Sequence, residues 1–172
     1  LRAELRVELK HIQQNLGATI LYVTHDQVEA MTLADRIGVL REGELVQLGT
    51  PKEIFEQPKN TYVAERLGQP SINLVPLSSE WPVPAPANAT QLGLRTDHVQ
   101  LHSVDTQIQA TVTAQVQRVE YLGDQTYLHL LCAGQGLTLL ADPATLLKEG
   151  DGVALELLQP LFFDQFGNRL SA

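Results

Sequence analysis

The feature that most constrains the fold is a short apolar run that leads directly into a helical pattern. Residues 18–23 are almost continuously apolar and rich in β-forming side chains, which is typical of a strand buried on both faces of a parallel sheet. Thr24 and Asp26 are each suitable helix N-caps, and each is followed three residues later by a Gln or Glu. We therefore predict a buried strand followed at once by a helix.

His25 lies between this predicted strand and the predicted helix. Open α/β sheets bind ligands at the C-terminal ends of their strands, and a helix N-terminus favours anions. One hypothesis is that His25 faces a phosphate. The alternative is a histidine that only satisfies local hydrogen bonds, and the spacing leaves both open.

The composition is that of a globular protein, with 44% hydrophobic and 19% charged residues in a chain of 172. This length allows one large domain or two small ones. No apolar run approaches the roughly 18–20 residues of a membrane span, and no secretory pattern opens the sequence. Cys132 is the only cysteine, which is consistent with a reducing cytosol. Because the first residue is Leu1 and not Met, we expect a further segment upstream.

The net charge of −8 is unevenly distributed. Residues 1–70 carry 8 Lys or Arg against 10 Asp or Glu, whereas residues 71–172 carry 4 against 10. Because residues 71–172 are so acidic, they are a poor candidate for binding the phosphate backbone of a nucleic acid. Trp81, Tyr121 and Tyr127 could form a stacking surface for bases or sugars, but with this charge we expect no nucleic-acid partner.

Helical patterns dominate the first seventy residues. A helix is predicted over residues 1–16, where one face carries Leu1, Leu5, Leu9, Ile12 and Leu16. A hairpin follows the second helix, with residues 37–40 and 45–48 as its strands and Gly43 in the turn. Thr50 and Asn60 are predicted N-caps of two further helices.

Short β-like runs replace the helical periodicity from Ser71 onward. We therefore predict two domains, residues 1–70 and residues 71–172. The candidate strands are residues 72–77, 91–95, 99–101, 107–120, 125–132, 136–141 and 153–157. Many short strands at regular spacing predict a small barrel or sandwich.

The second domain contains three histidines, which are candidate metal ligands. His98 and His102 would form a metal-binding pair on a helix, but on a strand they lie roughly 13 Å apart, at about 3.3 Å per residue. His129 lies among leucines and is predicted to be a strand-face residue. Because co-ligands are lacking, we predict no metal site.

Two stretches of the first domain, residues 23–37 and residues 40–51, resemble the C-terminal part of an ABC-transporter nucleotide-binding domain. The resemblance is closest to the ATPase subunits of carbohydrate importers. It implies that His25 is the switch histidine of the H-loop, which contacts the γ-phosphate of ATP and helps to position the attacking water.

The second domain carries an independent resemblance. Residues 92–99 and 119–126 are similar to two segments of the transport-associated OB-type domain, called TOBE, that follows such ATPases, and residues 71–74 are similar to its entry strand. Thr96 stands where that family usually has Pro, and residues 159–164 also depart from its pattern. The resemblance implies an α/β remnant of a P-loop NTPase domain followed by an all-β OB-like barrel.

The segments that bind ATP in that family are absent from this sequence. No Gly-x-x-x-x-Gly-Lys-Ser/Thr motif, LSGGQ-type signature or Walker B aspartate-glutamate pair occurs. Phosphoryl transfer depends on such a loop and on Mg²⁺ to hold the phosphates. We therefore expect ATP and Mg²⁺ to belong to a longer parent protein. This chain alone is expected to bind no cofactor and to have no ATPase activity.

The resemblance implies that the parent is the ATP-binding subunit of a binding-protein-dependent ABC importer, cytoplasmic and peripheral on the inner face of the membrane. Its partners would be membrane permease subunits, a solute-binding protein and a second copy of itself. For this chain we expect a homodimer that covers its apolar faces. The alternatives are an importer of polyamine, iron or an oxyanion, or a stand-alone regulatory module.

Overall fold

The computed structural model describes residues 2–105 and 111–171. The chain forms two compact units, which meet in the sequence between Leu67 and Gly68. No helix in the described ranges is long and apolar enough to cross a membrane.

The first unit consists of four helices and one hairpin. The helices are α1 (Arg2–Leu16), α2 (Gln27–Leu33), α3 (Pro51–Glu56) and α4 (Thr61–Arg66), and the hairpin pairs β1 (Ile37–Arg41) with β2 (Glu44–Gly49). Its small core consists of Ile37, Ile54, Val63 and Leu67. The hairpin and the caps are as predicted, because Gly43 has a positive φ in the turn while Thr50 and Asn60 cap α3 and α4.

The predicted strand at residues 18–23 is wrong. The structure places no strand there, and the side chains of Leu21 and Val23 are 92% and 85% exposed. A strand requires a neighbour for its backbone hydrogen bonds, and none of the described strands pairs with this segment. The apolar run therefore belongs to an irregular connection between α1 and α2.

The second unit contains two antiparallel sheets. The four-stranded sheet, in the order β11-β10-β4-β3, is formed by β3 (Asn73–Pro76), β4 (Gln91–Leu94), β10 (Leu161–Phe163) and β11 (Arg169–Leu170). The five-stranded sheet has the order β5-β9-β6-β7-β8 and curls into a half-barrel. Its strands are β5 (Val99–Ser103), β6 (Thr111–Tyr121), β7 (Thr126–Cys132), β8 (Gln135–Ala141) and β9 (Gly152–Leu157). This architecture confirms the predicted all-β domain.

Each of the seven predicted strands of this unit has a counterpart, although residues 107–110 of the longest prediction lie outside the described residues. The strands β10 and β11 were not predicted from the sequence. Their side chains complete the core, since Phe162 and Phe163 are 2% and 0% exposed.

Trp81 belongs to this core and not to a stacking surface. Its side chain is 4% exposed and packs among the buried residues of the sheets. The indole Nε1–H donates to the backbone oxygen of Pro76 at 3.2 Å. Of the other two aromatic residues of the predicted stacking surface, Tyr121 is exposed and Tyr127 is half-buried.

Candidate functional site

His25 lies, exposed, in the connection between α1 and α2, beside a cleft of about 410 Å³ in the first unit. The cleft is formed by residues of α1, the connecting segment and α2. Its lining residues are Leu5, Arg6, Leu9, Tyr22, Thr24, His25, Asp26, Glu29 and Leu33.

A hydrogen-bond network surrounds His25 on both sides along the chain. The Thr24 hydroxyl donates to Glu29 Oε2 at 2.6 Å and accepts the backbone N–H of Asp26 at 2.9 Å. The Tyr22 hydroxyl donates to the same Glu29 oxygen at 3.1 Å. The two neighbours of His25 are therefore linked to each other and to Glu29.

Asp26, and not Thr24, is the N-cap of α2. Its Oδ1 accepts the backbone N–H groups of Val28 at 2.8 Å and of Glu29 at 3.1 Å. These bonds occupy two of the donors that an anion would use at a helix N-terminus. With no strand before it and with these donors taken, the segment does not form the strand-end anion site that the spacing suggested.

The charges in the cleft are mostly negative. Two carboxylates, Asp26 and Glu29, line it together with one guanidinium, Arg6. The hydrogen bond to Glu29 and the charge of that carboxylate raise the pKa of Tyr22 above its usual value of 10.0. These residues alone do not fit a triphosphate or its Mg²⁺, because polyphosphate sites use convergent cations and free backbone donors. The role of His25 as a phosphate-contacting residue stays a prediction.

Of the remaining histidines of interest, His102 and His129 lie on the curled sheet, and His98 ends the short 3₁₀ turn before β5. His102 Nε2 is 2.8 Å from Glu156 Oε2, and His98 Nε2 is 3.7 Å from Asp97 Oδ2. His129 is a strand-face residue, as predicted, since it alternates with buried Leu128 and Leu130 on β7. Within the described ranges, no three His, Cys, Asp or Glu residues come together as metal ligands.

Two features of the structure were not predicted from the sequence. One is Glu29 as the acceptor that joins Tyr22 and Thr24; the only signal for it was the Glu at the third position after Asp26. The other is Arg95 after β4, which is 2% exposed. Burial lowers the pKa of Arg95 to about 10. Burial also lowers the pKa of Arg169 below its usual value.

Comparison with known proteins adds a domain match and a set of relatives. Residues 92–159 match the TOBE domain family. The sn-glycerol-3-phosphate import ATP-binding protein UgpC of Vibrio vulnificus (strain YJ016) is 46% identical over 143 residues, which cover 75% of this chain and 38% of that protein. The protein of the same name from Ralstonia nicotianae is 37% identical over 175 residues, covering 88% of this chain and 47% of that protein.

A third relative with the same name, from Brucella abortus (strain 2308), is 41% identical over 137 residues and covers 75% of this chain. The chain spans between 38% and 47% of the length of these three relatives. The matches confirm, for the part of the relatives that it spans, the resemblance of this chain to importer ATP-binding subunits with a TOBE domain.

Proposed function

We propose that this chain is part of the ATP-binding subunit of an ABC importer, in which ATP hydrolysis drives the uptake of a solute. The observation that carries the proposal is the 46% identity to an import ATP-binding protein over 75% of the chain. The TOBE match at residues 92–159 and the two-sheet architecture of the second unit support it.

The names of the relatives favour one cargo. The three relatives are each named as an sn-glycerol-3-phosphate import ATP-binding protein. We therefore propose a small phosphorylated polyol, within the carbohydrate class that the sequence motifs suggested. A transport assay should therefore use a phosphorylated polyol first, before polyamine, iron or an oxyanion.

We propose that His25 contacts the γ-phosphate of ATP in the intact subunit. Two observations support this role: His25 is exposed, and it is one of the residues that line the cleft. ATP and Mg²⁺ are held in that proposal by residues outside this chain, because the acidic cleft does not supply the necessary donors. By itself, the 172-residue chain is expected to have no ATPase activity.

The proposed partners are a second copy of the chain, two membrane permease subunits and a solute-binding protein, with the subunit on the cytoplasmic face of the membrane. Exposed apolar side chains on one unit support a protein partner. On α1 and the following segment, Leu5, Leu16, Leu21 and Val23 are all more than half exposed. Covering such side chains favours association by roughly 25 cal/mol for each Å² of apolar surface removed from water.

A chimera tests the proposal. This chain would replace the part of the Vibrio vulnificus relative that it matches, and ATP turnover would be measured for the chimera and for the 172-residue chain alone. The chimera is expected to hydrolyse ATP and the chain alone is not. His25→Ala in the chimera is expected to lower kcat about a hundredfold or more, since a residue that orients or activates the attacking water contributes a factor of about 10² to 10⁴.

His11→Ala is the matched control, because His11 is an exposed histidine on α1. Turnover of this variant should equal that of the unsubstituted chimera. The proposal fails if the chimera has no turnover while the Vibrio protein is active in the same assay. It also fails if His25→Ala leaves kcat within twofold.

A further inference from the structure

The Glu29 carboxylate is connected by hydrogen bonds to the residues on both sides of His25. Glu29 Oε2 accepts the hydroxyls of Thr24 and Tyr22, at 2.6 Å and 3.1 Å. Thr24 in turn accepts the Asp26 backbone N–H. We propose that Glu29 is a positioning residue, which fixes the backbone on either side of His25 through the Thr24 hydroxyl. This inference rests on the proposed role of His25 in ATP hydrolysis.

The network differs from an ordinary capping box. In that motif the side chain at the third helical position accepts the backbone N–H of the N-cap directly. Thr50 and Glu53 at the start of α3 show the ordinary form, with the Thr50 N–H donating to Glu53 at 2.7 Å. At α2 the N-cap Asp26 donates to Thr24 instead, so a hydroxyl lies between the carboxylate and the N-cap amide.

The direction of the hydrogen bonds follows from the chemistry of the groups. An ionised carboxylate can only accept, so both hydroxyls must donate to Glu29. The Thr24 oxygen then has lone pairs left for the Asp26 amide. Removing the carboxylate frees the Thr24 proton to turn toward another acceptor, and Thr24 then loses its hydrogen bond to α2, while Asp26 keeps its own bonds to the helix.

The bond between Asp26 and the first turn of α2 completes the arrangement. Asp26 Oδ1 accepts two backbone amides of the helix, so Asp26 itself is fixed. His25 thus lies between two residues, Thr24 and Asp26, that are both held by hydrogen bonds. Its own side chain remains exposed. A histidine that must meet a substrate atom requires this combination of a fixed backbone and an open side chain.

Substitutions in the chimera test the proposal. Thr24→Val keeps the shape of the side chain but removes the hydroxyl, and Glu29→Ala removes the acceptor. Each is expected to lower kcat about tenfold while KM for ATP changes less than about twofold, because small misplacement of a reacting group costs rate more than binding. Thr24→Ser and Glu29→Gln keep the required atoms and are expected to restore kcat to within about threefold of the unsubstituted chimera.

The double variant Thr24→Val/Glu29→Ala separates a shared network from two unrelated defects. If both residues act through one chain of hydrogen bonds, the double variant is no slower than the slower single variant. Glu8→Ala, which removes an exposed carboxylate on α1, is the control and should leave kcat unchanged.

A measurement on the 172-residue chain itself checks the geometry without nucleotide. Amide hydrogen exchange at Asp26 is expected to quicken at least tenfold in Thr24→Val and to stay unchanged in Thr24→Ser, since only the former lacks the acceptor.

The outcomes distinguish the two proposals. Loss of turnover in His25→Ala with unaltered kcat in Thr24→Val and Glu29→Ala overturns the positioning role of Glu29 and leaves the function of His25 intact. Unaltered turnover in His25→Ala overturns the function itself. Additive losses in the double variant, or equal amide exchange in Thr24→Val and Thr24→Ser, also overturn the positioning role.

Discussion

At the scale of single residues, Asn73 joins the two sheets of the second unit. Its Nδ2 donates to the backbone oxygens of Leu94 at 3.2 Å and Thr138 at 3.0 Å, and its Oδ1 accepts the Thr138 N–H at 2.7 Å. Thr138 belongs to β8, the edge strand of the five-stranded sheet. The side-chain amide therefore satisfies backbone groups that an edge strand leaves without a partner strand.

We expect Asn73→Ala to destabilise the protein by about 1–3 kcal/mol, because three hydrogen bonds are lost and half-buried backbone groups are left without them. The measurement is the urea concentration at the midpoint of unfolding, with Asn88→Ala as the control. Asn88 is an exposed asparagine in the same unit. Equal midpoints for the two variants would contradict the bridging role of Asn73.

At the scale of elements, the sequence predicts best where one segment determines its own conformation. Thr50 and Asn60 cap their helices as predicted because the capping atoms lie within three residues of each other. The same local chemistry predicted the hairpin turn at Gly43. The candidate site was predicted only in part, since His25 was singled out while Glu29, which contacts its neighbours, was recognised only as a helix-start residue.

The failures concern segments that depend on distant partners. Residues 18–23 have the composition of a buried strand but no described strand beside them, so composition gave a wrong prediction. Conversely, the three residues of β10 are too few to show the alternation of apolar and polar side chains that marks a strand. They form a strand because β4 and β11 lie on either side. Neither outcome can be read from the segment alone.

The cap of α3 has a testable pH dependence. The Thr50 backbone N–H, and secondly the Thr50 hydroxyl, lower the pKa of Glu53 below its usual 4.5. A carboxyl whose pKa is lower in the folded state stabilises that state fully above its unfolded pKa and loses this contribution as the pH falls through the folded value. The cap should therefore weaken only below about pH 4.5.

An NMR titration of the Glu53 side-chain carboxyl checks this expectation. The titration midpoint of Glu53 should lie below 4.5 in the unsubstituted chain. It should rise part of the way toward 4.5 in Thr50→Val, where the backbone N–H remains but the hydroxyl is gone. The exposed Glu44, for which the structure shows no capping role, serves as the internal reference. Identical midpoints for Glu53 in the two proteins would contradict the capping-box contribution.

The second unit has a hydrophobic core of its own. Buried side chains from both sheets, including Trp81, Leu92, Leu130 and Phe162, form one cluster. The part matching the TOBE family begins within β4 and ends before β10. The four-stranded sheet therefore draws most of its strands from outside the matched residues.

We expect residues 68–172 to fold alone and to unfold cooperatively in urea, because both sheets and their shared core are present. Residues 92–159 form the matched control, which lacks β3, β10 and β11. This shorter piece should show no cooperative transition by circular dichroism. If residues 92–159 unfold cooperatively at the same urea midpoint as residues 68–172, the four-stranded sheet contributes nothing to stability.

The first unit governs the proposed self-association. We expect the 172-residue chain to sediment as a dimer at micromolar concentration. The double substitution Leu21→Lys/Val23→Lys should shift it toward the monomer, because two exposed apolar side chains become charged. Leu146→Lys is the control, since Leu146 is 89% exposed but lies in the second unit. If the unsubstituted 172-residue chain sediments as a monomer, the proposed dimer is refuted.

The pairing of β4 with β10 also bears on how the protein is made. β4 emerges from the ribosome long before β10, with five strands of the other sheet between them in the sequence. Until β10 is synthesised, Leu92 and Leu94 have only β3 beside them, and one apolar edge of the nascent domain stays open. Nascent chains that stall before Leu161 should therefore be the ones that a cellular chaperone holds longest.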